Sequence, residues 1–583
     1  MIPTDGPYVL LDDARGPGAS PARLYRDPVE CLTARTLDEV ALLLEALRSA
    51  KARGMHAAGF LAYDAGASLV PHLPIPPYGI LAWFGIFEQY QEVVSDVIPS
   101  FLPDPAGAWL SHLRPEISRA DYARSFDIVQ DYIRAGDIYQ ANLTFPLSAD
   151  YEGHPLALYA ALRPRAAAGY GGVVWTGNQH YLSFSPELFL ALKDGRVTTK
   201  PMKGTAQRHP DPVTDIAEAE ALRTDPKQRA ENLMIVDLLR NDLSRVCEPG
   251  SVVVPELFKV ESYPTVHQMT STVTGLLAVE NDVVDVIKAL FPCGSITGAP
   301  KIRAMHIVRE VEADARGIYC GSIGRIDPNG DAAFNVAIRT LSLCVATNRV
   351  LLGLGSGIVA DSNEADEWIE CLAKGDFAQV TRYGFDLIET MRFEPALGMI
   401  RLEAHLGRIK ASAQLFEFEL DRHAIRNQLH AATFHLATLS KVRLRASKSG
   451  AIAIEVRPHT DTTEPWQVAV APLPVDKADF RLHHKTSDRG FYDEARKASG
   501  ADEVIFVDAD GFLTEGSITA IFVERDVMLL TPPLSRGALP SVLRRELIED
   551  GKAMEADLTV RDLDHGFFLG NSVRGLIAAK RVA

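Results

Sequence analysis

The sequence predicts an α+β chain of two domains, and three observations predict it. Its 583 residues exceed what one hydrophobic core usually supports. Strand-like alternation and amphipathic helical stretches both recur along the chain. Near residues 381–386 the pattern restarts, with Gly384 closing one helix and FDLIETMRF opening a new strand. The expected domains are therefore 1–383 and 384–583, the second alternating strands with helices in an α+β or α/β manner.

In order along the chain, the first hundred residues mix short apolar runs such as GFLAYDAG (59–66) and PHLPIPPYGILAWFG (71–85) with Pro and Gly turns around one helix at 37–54. A helix at roughly 119–135 ends at Gly136, and residues 172–200 alternate like strands. The best local helix signal spans 224–246, with Asp225 placed to cap and Pro226 at the first helical position. Further helices are expected near Pro300 and over 363–380, with buried strands in AAFNVAIRTLSLCVA and RVLLGLGSGIVA between them. No repeat or low-complexity tract stands out.

Composition narrows the function classes. Apolar residues make up 47% and charged residues 23%, an ordinary globular balance. No window reaches the roughly 18 uncharged apolar residues of a spanning helix, and the N-terminal residues lack the pattern of a secretory signal. Six scattered cysteines form no CxxC pair, which argues against a zinc site or disulfide framework and fits a reducing compartment. The cytoplasm is the expected location. A formal charge of −16 disfavours nucleic acid or anionic membrane as partners. An anionic substrate has to be caught by local cations, a metal or backbone amides.

Several segments are too specific to be generic: IRAGDIYQANLT (133–144), SFSPELFL (183–190), KPMKGTAQR (200–208), RAENLMIVDLLRNDLSRV (229–246), FPCGSITGAPKIRAM (291–305), YCGSIG (319–324), IRTL (338–341) and GSGIVADSNEADEWIECLAK (355–374). Together, from about Tyr25 to Gly375, they resemble the chorismate-utilising family of anthranilate, isochorismate, salicylate and aminodeoxychorismate synthases. The resemblance implies two large antiparallel sheets with helices outside.

Glu367 and Glu370 are spaced to share one helix face, and Glu231 lies on another helix. Alone, such pairs are more often solvated. The resemblance places Glu231 and Glu370 on the family's magnesium ligands and Glu367 on the neighbouring carboxylate, while Gln228 stands where an acidic residue is usual. Chorismate is a dianion, and by resemblance Arg339 and Lys374 are its cationic clamps and Tyr319 its hydroxyl contact. Arginine suits a planar carboxylate because its donors form a fork. Gly204, Thr205, Gly355 and Gly357 are expected to line the substrate, the last two by letting backbone amides approach an anion. Ser356 stands in place of a glycine between them. Thr297 and Gly298 precede a helix start, a further expected anion site.

Lys203 decides the expected reaction. In PMKGT the family branches: anthranilate synthases carry alanine there, aminodeoxychorismate synthases lysine. A desolvated lysine can be neutral and nucleophilic near neutral pH. By resemblance Lys203 adds to ring carbon 2, Glu187 is the general acid for the departing carbon-4 hydroxyl, and His267 is the active-site histidine. No glutaminase nucleophile turn or following His-x-Glu is found, so ammonia comes from a separate glutaminase subunit or from solution. The motifs assign no tryptophan site.

Residues 386–583 resemble class IV pyridoxal-phosphate enzymes, including D-amino-acid aminotransferases and aminodeoxychorismate lyase, and imply their α/β fold. The evidence is AHLGRIKAS (404–412), HKTSDRGFYDEAR (484–496), DEVIFVDADGFLTEGSITAIF (502–522), LLTPPLSRGALPSVLRREL (529–547) and FFLGNSVRGL (567–576). The resemblance makes Lys485 the Schiff-base lysine and Glu515 the carboxylate facing the pyridine nitrogen. Arg408 with the backbone around Val542, Ser572 and Val573 forms the phosphate cradle. Ala520, Ser541 and Leu543 depart from the usual pattern, and the domain starts late, without the usual opening hairpin. A homodimer through this domain is a further expectation. The implied chain is a magnesium-dependent aminodeoxychorismate synthase component I with a fused pyridoxal-phosphate lyase. The alternatives are an anthranilate synthase, which Lys203 opposes, and a C-terminal half kept only as a dimerisation or docking module.

Overall fold

Short capped helices and alternating strands build the chain. Thr36 and Glu39 exchange hydrogen bonds in a capping box that starts the helix Leu37–Ala52, and Asp225 caps the helix Pro226–Ser244 from the residue before its proline. The computed structural model describes residues 6–582 apart from 17, 71, 72, 74–78, 264, 265, 380–383 and 461–463. Most of the Pro-rich run at 71–78 therefore lies outside the described residues.

Two compact units result. The first comprises Met1–Leu102, His112–Tyr151 and Tyr159–Val380; the second comprises Pro103–Ser111, Glu152–Leu158 and Thr381–Ala583. The sequence placed the division near 384 and foresaw neither of the two short segments that join the second unit.

The first unit holds two large antiparallel sheets. In one, the strands Gln140–Glu152, Arg349–Ile358, Thr340–Cys344, Gln179–Ser183, Gly171–Trp175 and Tyr8–Asp12 lie side by side. In the other, Met202–Gln207, Val266–Leu276, Arg196–Lys200, Leu188–Lys193 and Ala332–Asn335 do the same. Val9, Phe60, Trp83, Val174 and Tyr181 share one buried cluster. The helices Leu37–Ala52, Pro226–Ser244 and Val283–Leu290 contribute Leu43, Leu239 and Ile287 to another. The expected sheets with helices outside are thus present.

Some helix readings need correction. The helix expected over 363–380 runs only from Glu364 to Ala373; a 3₁₀ turn, Asp376–Ala378, follows Gly375. The GSG run sits inside the strand Arg349–Ile358, in keeping with the strand expected over RVLLGLGSGIVA. Among the described residues before 380, three helices of eight residues or more were not anticipated: Pro155–Ala166, Pro212–Thr224 and Val283–Leu290. Pro212–Thr224 escapes a pattern search because only Asp215 and Leu222 along it are buried, which leaves no apolar stripe to read.

The second unit has a sheet ordered Gly398–Met399, Leu387–Glu394, Ser440–Ala446, Ile452–Pro458, with the helices Leu402–Leu415 and Arg422–Thr433 beside it. A second, mixed sheet carries Trp466–Pro472 parallel to both Glu503–Val507 and Gly575–Arg581. Trp109, from the segment Pro103–Ser111, is 4% exposed and belongs to this unit's core. Its ring meets Phe416 edge-on, with centroids 5.1 Å apart. Trp109→Ala is expected to destabilise this unit by about 3–5 kcal/mol, read as a lowered unfolding midpoint for the second unit with that of the first unchanged.

Candidate active sites

Glycine spacing shapes the first site. In the strand Arg349–Ile358, residues 353, 355 and 357 share a face because side chains alternate. A Cβ on Gly353 would strike the Tyr319 ring, and one on Gly357 would lie 3.0 Å from Lys203 Nζ and 2.5 Å from Gln140 Nε2. The missing side chains thus make room for the predicted hydroxyl contact and the predicted amine. Ser356 is buried, on the opposite side of its strand. Gly355 contributes its carbonyl, which accepts a hydrogen bond from Lys374 Nζ at 2.9 Å.

Lys203 rises from the strand Met202–Gln207, whose pairing slips between Met202 and Thr205. Gly204 in that slip has φ +89°, a conformation that favours glycine. Its would-be Cβ meets Gln228 Oε1 at 2.9 Å, so Gln228 packs on this strand. Gly204 O and Thr205 Oγ1 both bond to the Gln268 amide. Burial lowers the pKa of Lys203, with Glu231 opposing and Lys374 reinforcing. Glu187 is 3% exposed, and its Oε1 accepts from Ser295 Oγ at 2.8 Å. Burial pushes its carboxyl up to about 7. A proton-holding acid and an amine biased toward neutrality therefore share one site.

Arg339 has left-handed backbone (φ 49°), and burial lowers the pKa of its guanidinium. It forms no salt bridge among the described residues, which suits an incoming carboxylate. His267 is 2% exposed; its Nε2 lies 3.0 Å from Asp215 and its Nδ1 2.8 Å from Ser262 Oγ. Asp215 is also held by Arg208 and by the His209 amide, and its pKa falls well below the carboxylate range. Both ring nitrogens of His267 are thus engaged with protein groups, a positioning arrangement. Thr297 is buried with its hydroxyl on the Cys293 carbonyl. Gly298 and Ala299 form a short strand against Gln140 and Ala141, and the helix begins only at Lys301. Gly298 and Ala299 are thus drawn into the sheet just before the helix begins.

The expected convergence of three carboxylates is looser than predicted. Among the described residues no three His, Cys, Asp or Glu side chains stand close enough to hold a metal between them. Glu370 pairs with Lys374 at 2.8 Å, and Glu367 accepts from Ser362 at 2.7 Å. Glu231 is raised by burial, with Glu367 and Asp361 adding to the rise and Lys203 and Lys227 opposing it. Magnesium needs only one or two protein carboxylates besides water and substrate, so Glu231 and Glu370 suit it in number and charge.

The second site is a cavity of about 120 Å³ whose wall includes Lys485, Glu515, Arg408, Val542, Ser572 and Val573. All six predicted residues come together there. Burial, helped by Arg489 and Arg408, lowers the Lys485 amine to about 7. Glu515 accepts from Tyr492 OH at 2.5 Å and from the Leu539 amide at 3.0 Å, and burial raises its pKa. Arg408 donates twice to Glu389 (2.8 and 2.6 Å) and once to Pro540 O (3.1 Å), so only part of its fork is left for a phosphate. Val542 opens a helix, Val542–Glu549, while the Val573 amide is bonded to Asn571 Oδ1. Ala520 and Leu543 pack in one apolar cluster with Phe522 and Leu547, which gives both departures a place in the core.

Sequence reasoning missed Gln140, Ser295 and Asp215 in the first unit, and Glu389, His405, Tyr492 and Glu503 in the second. Gln140 is fully buried with neither amide atom bonded. Glu503, fully buried, accepts from Ser517 N and Oγ, Ile518 N and Thr519 Oγ1 in the turn after Glu515. The three-residue spacing of His405 and Arg408 in HLGR was the one readable signal among these.

Residues 7–379 match the family described as chorismate binding enzyme, and residues 386–582 match amino-transferase class IV. The chain is 39% identical over 341 residues to aminodeoxychorismate synthase component 1 of Klebsiella aerogenes, spanning 54% of this chain and 75% of that protein. It is 36% identical over 373 residues to the protein of the same name from Escherichia coli K12, spanning 59% and 82%. The crystal structure of anthranilate synthase component I from Streptococcus pneumoniae aligns with a TM-score of 0.54 at 28% identity, over 62% of this chain and 93% of that one. This chain belongs to the chorismate-binding enzymes and carries a class IV amino-transferase domain behind that catalytic fold.

Proposed function

We propose that the first unit aminates chorismate at ring carbon 4 and that the second releases pyruvate from the product to leave para-aminobenzoate. The observation that carries the first half is the Lys203 amine lying against Gly357, in the same site as the buried acid Glu187. Neutral Lys203 attacks ring carbon 2 while the carbon-4 hydroxyl departs with the proton of Glu187. Ammonia then adds at carbon 4 and the lysine leaves from carbon 2, restoring the ring double bonds. Arg339 and Lys374 face the substrate carboxylates. Glu231 and Glu370 would hold a magnesium ion, which neutralises carboxylate charge there. A separate glutaminase subunit supplies the ammonia, in keeping with the component 1 relatives.

In the second unit Lys485 and Glu515 would hold pyridoxal phosphate at its reactive carbon and ring nitrogen, with Arg408, Val542 and Ser572 around its phosphate. Bound there, the cofactor supplies an electron sink. Lys485, near neutrality at about 7, takes and returns the proton, and Tyr492 keeps Glu515 oriented. Two copies of the chain are expected to pair through this unit, which a solution mass measurement tests.

Chorismate, ammonium and magnesium with products resolved by chromatography is the direct test; anthranilate as product would overturn the reading. Amination should follow a bell-shaped pH profile. It rises as Lys203 loses its proton and falls above about 7 as Glu187 loses the proton it must donate. Glu187→Gln should lower amination by roughly 10²–10⁴-fold and remove the alkaline limb; a retained limb would assign it to another group.

A further inference from the structure

The small sheet of the second unit turns a basic face to the cavity. Along the strand Ser440–Ala446, Lys441, Arg443 and Arg445 alternate with Val442 and Leu444, which are buried in the apolar core. Lys441 pairs across the sheet with Arg392, and Arg443 with Thr390. Thr390 and Lys441 therefore share one face, and both line the cavity. Three arginines of this face are neutralised: Arg392 by Glu394, Arg445 by Asp386, and Arg457 by Glu455. Lys441 forms no ion pair among the described residues.

Arg574 reaches the same cavity from the mixed sheet. It stands in the turn between the strands Phe567–Asn571 and Gly575–Arg581, where its backbone amide and that of Val573 both donate to Asn571 Oδ1. Its guanidinium carbon lies 5.4 Å over the Trp466 ring, and its Nε is buried with no hydrogen-bond partner. Glu503 is the carboxylate whose charge bears on it, but both Glu503 oxygens are taken by Ser517, Ile518 and Thr519. The other cations of the wall are engaged. Arg408 pairs with Glu389, Arg489 lies 3.6 Å from Glu515, and Lys485 is the cofactor lysine. Lys441 and Arg574 are left as two cations without a carboxylate partner on one cavity, an arrangement that calls for an anion.

We propose that Lys441 and Arg574 receive the ring carboxylate of the substrate bound in the second unit. The assignment rests on that unit acting on the first unit's product. That product carries two carboxylates: the enolpyruvyl one leaves with pyruvate, and the ring one stays on para-aminobenzoate. The amine at ring carbon 4 and the carboxylate at ring carbon 1 are at opposite ends of the ring. An amine held at Lys485 thus leaves the carboxylate to cations elsewhere on the wall, and Lys441 and Arg574 are not among the charges that act most on Lys485. A grip at this end holds the molecule by the group that the reaction leaves unchanged and disfavours amines that lack it. Arginine and lysine both donate strongly to a carboxylate.

The probe is para-aminobenzoate, which carries that carboxylate and reacts no further, with its methyl ester as the uncharged control. Both are titrated by calorimetry into the full chain with pyridoxal phosphate present. The acid should bind roughly tenfold or more tighter than the ester. Lys441→Met and Arg574→Met should each weaken binding of the acid by about tenfold and leave the ester unchanged, while Lys441→Arg keeps the acid's advantage. An acid–ester difference that survives both methionine variants overturns the assignment, as does an acid that fails to bind the unsubstituted chain. A fall in pyridoxal phosphate affinity of the same size overturns it too, since these cations would then belong to the cofactor's phosphate. Should Arg574→Met fail to fold, Lys441→Met decides alone. Absence of pyruvate release by the unsubstituted chain, with the acid–ester difference intact, would defeat the lyase reading alone, because the titration needs no turnover.

Discussion

Lys203→Ala lowers chorismate amination by roughly 10⁴-fold or more while leaving the fold and the second unit's cofactor absorbance unchanged. The size follows from the role. An amine that forms a bond to the ring cannot be replaced by orientation alone, and alanine at 203 removes the amine that lies against Gly357. Stability should not fall, because Lys203 is desolvated at a cost that alanine does not incur. The check is steady-state product formation from chorismate with saturating ammonium, beside a thermal melt. Lys203→Arg is the sharper control, since it keeps a cation but cannot become neutral; it should be as inactive as alanine. If arginine supports turnover, the residue acts by charge rather than by attack.

The second large effect belongs to Lys485→Ala. Pyruvate release should fall by roughly 10²–10⁴-fold, and aminodeoxychorismate should accumulate because the first unit continues to turn over. The protein should also lose the visible absorbance of lysine-bound pyridoxal phosphate. Coupled lactate dehydrogenase measures the pyruvate, and chromatography measures the accumulated intermediate. Unaltered pyruvate release would mean that the cavity around Lys485 and Glu515 is a remnant, and that the second unit serves only as a docking or dimerisation module. The intact pairing of Glu515 with Tyr492 and the Leu539 amide argues against such decay, since a carboxylate buried without function is costly to keep.

Much of the site was legible because its parts are local words. PMKGT, SPE and the ExxE spacing specify which residue types occur together, and Asp225-Pro226 specifies where a helix starts. What escaped the sequence shares one cause. Thr297 and Gly298 lead toward the helix that begins at Lys301, and only the fold shows that Gly298 pairs with a strand more than a hundred residues earlier. His267 is legible as a histidine of the site, while its partner Asp215, 52 residues away, is not. Trp109 reads as part of the first domain, and only packing against Phe416 assigns it to the second.

By itself the sequence determined the family, the helix starts at Pro226 and near Pro300, and the choice of lysine over alanine at position 203, because these depend on residue identity and near-neighbour geometry. The tertiary structure alone decided that burial raises the Glu187 carboxyl to about 7 and that Glu370 pairs with Lys374 while Glu367 accepts from Ser362. Protonation and pairing in a folded protein follow from desolvation and from partners far away in the chain. Ser295, which bonds Glu187, is 108 positions from it, beyond the reach of any local pattern.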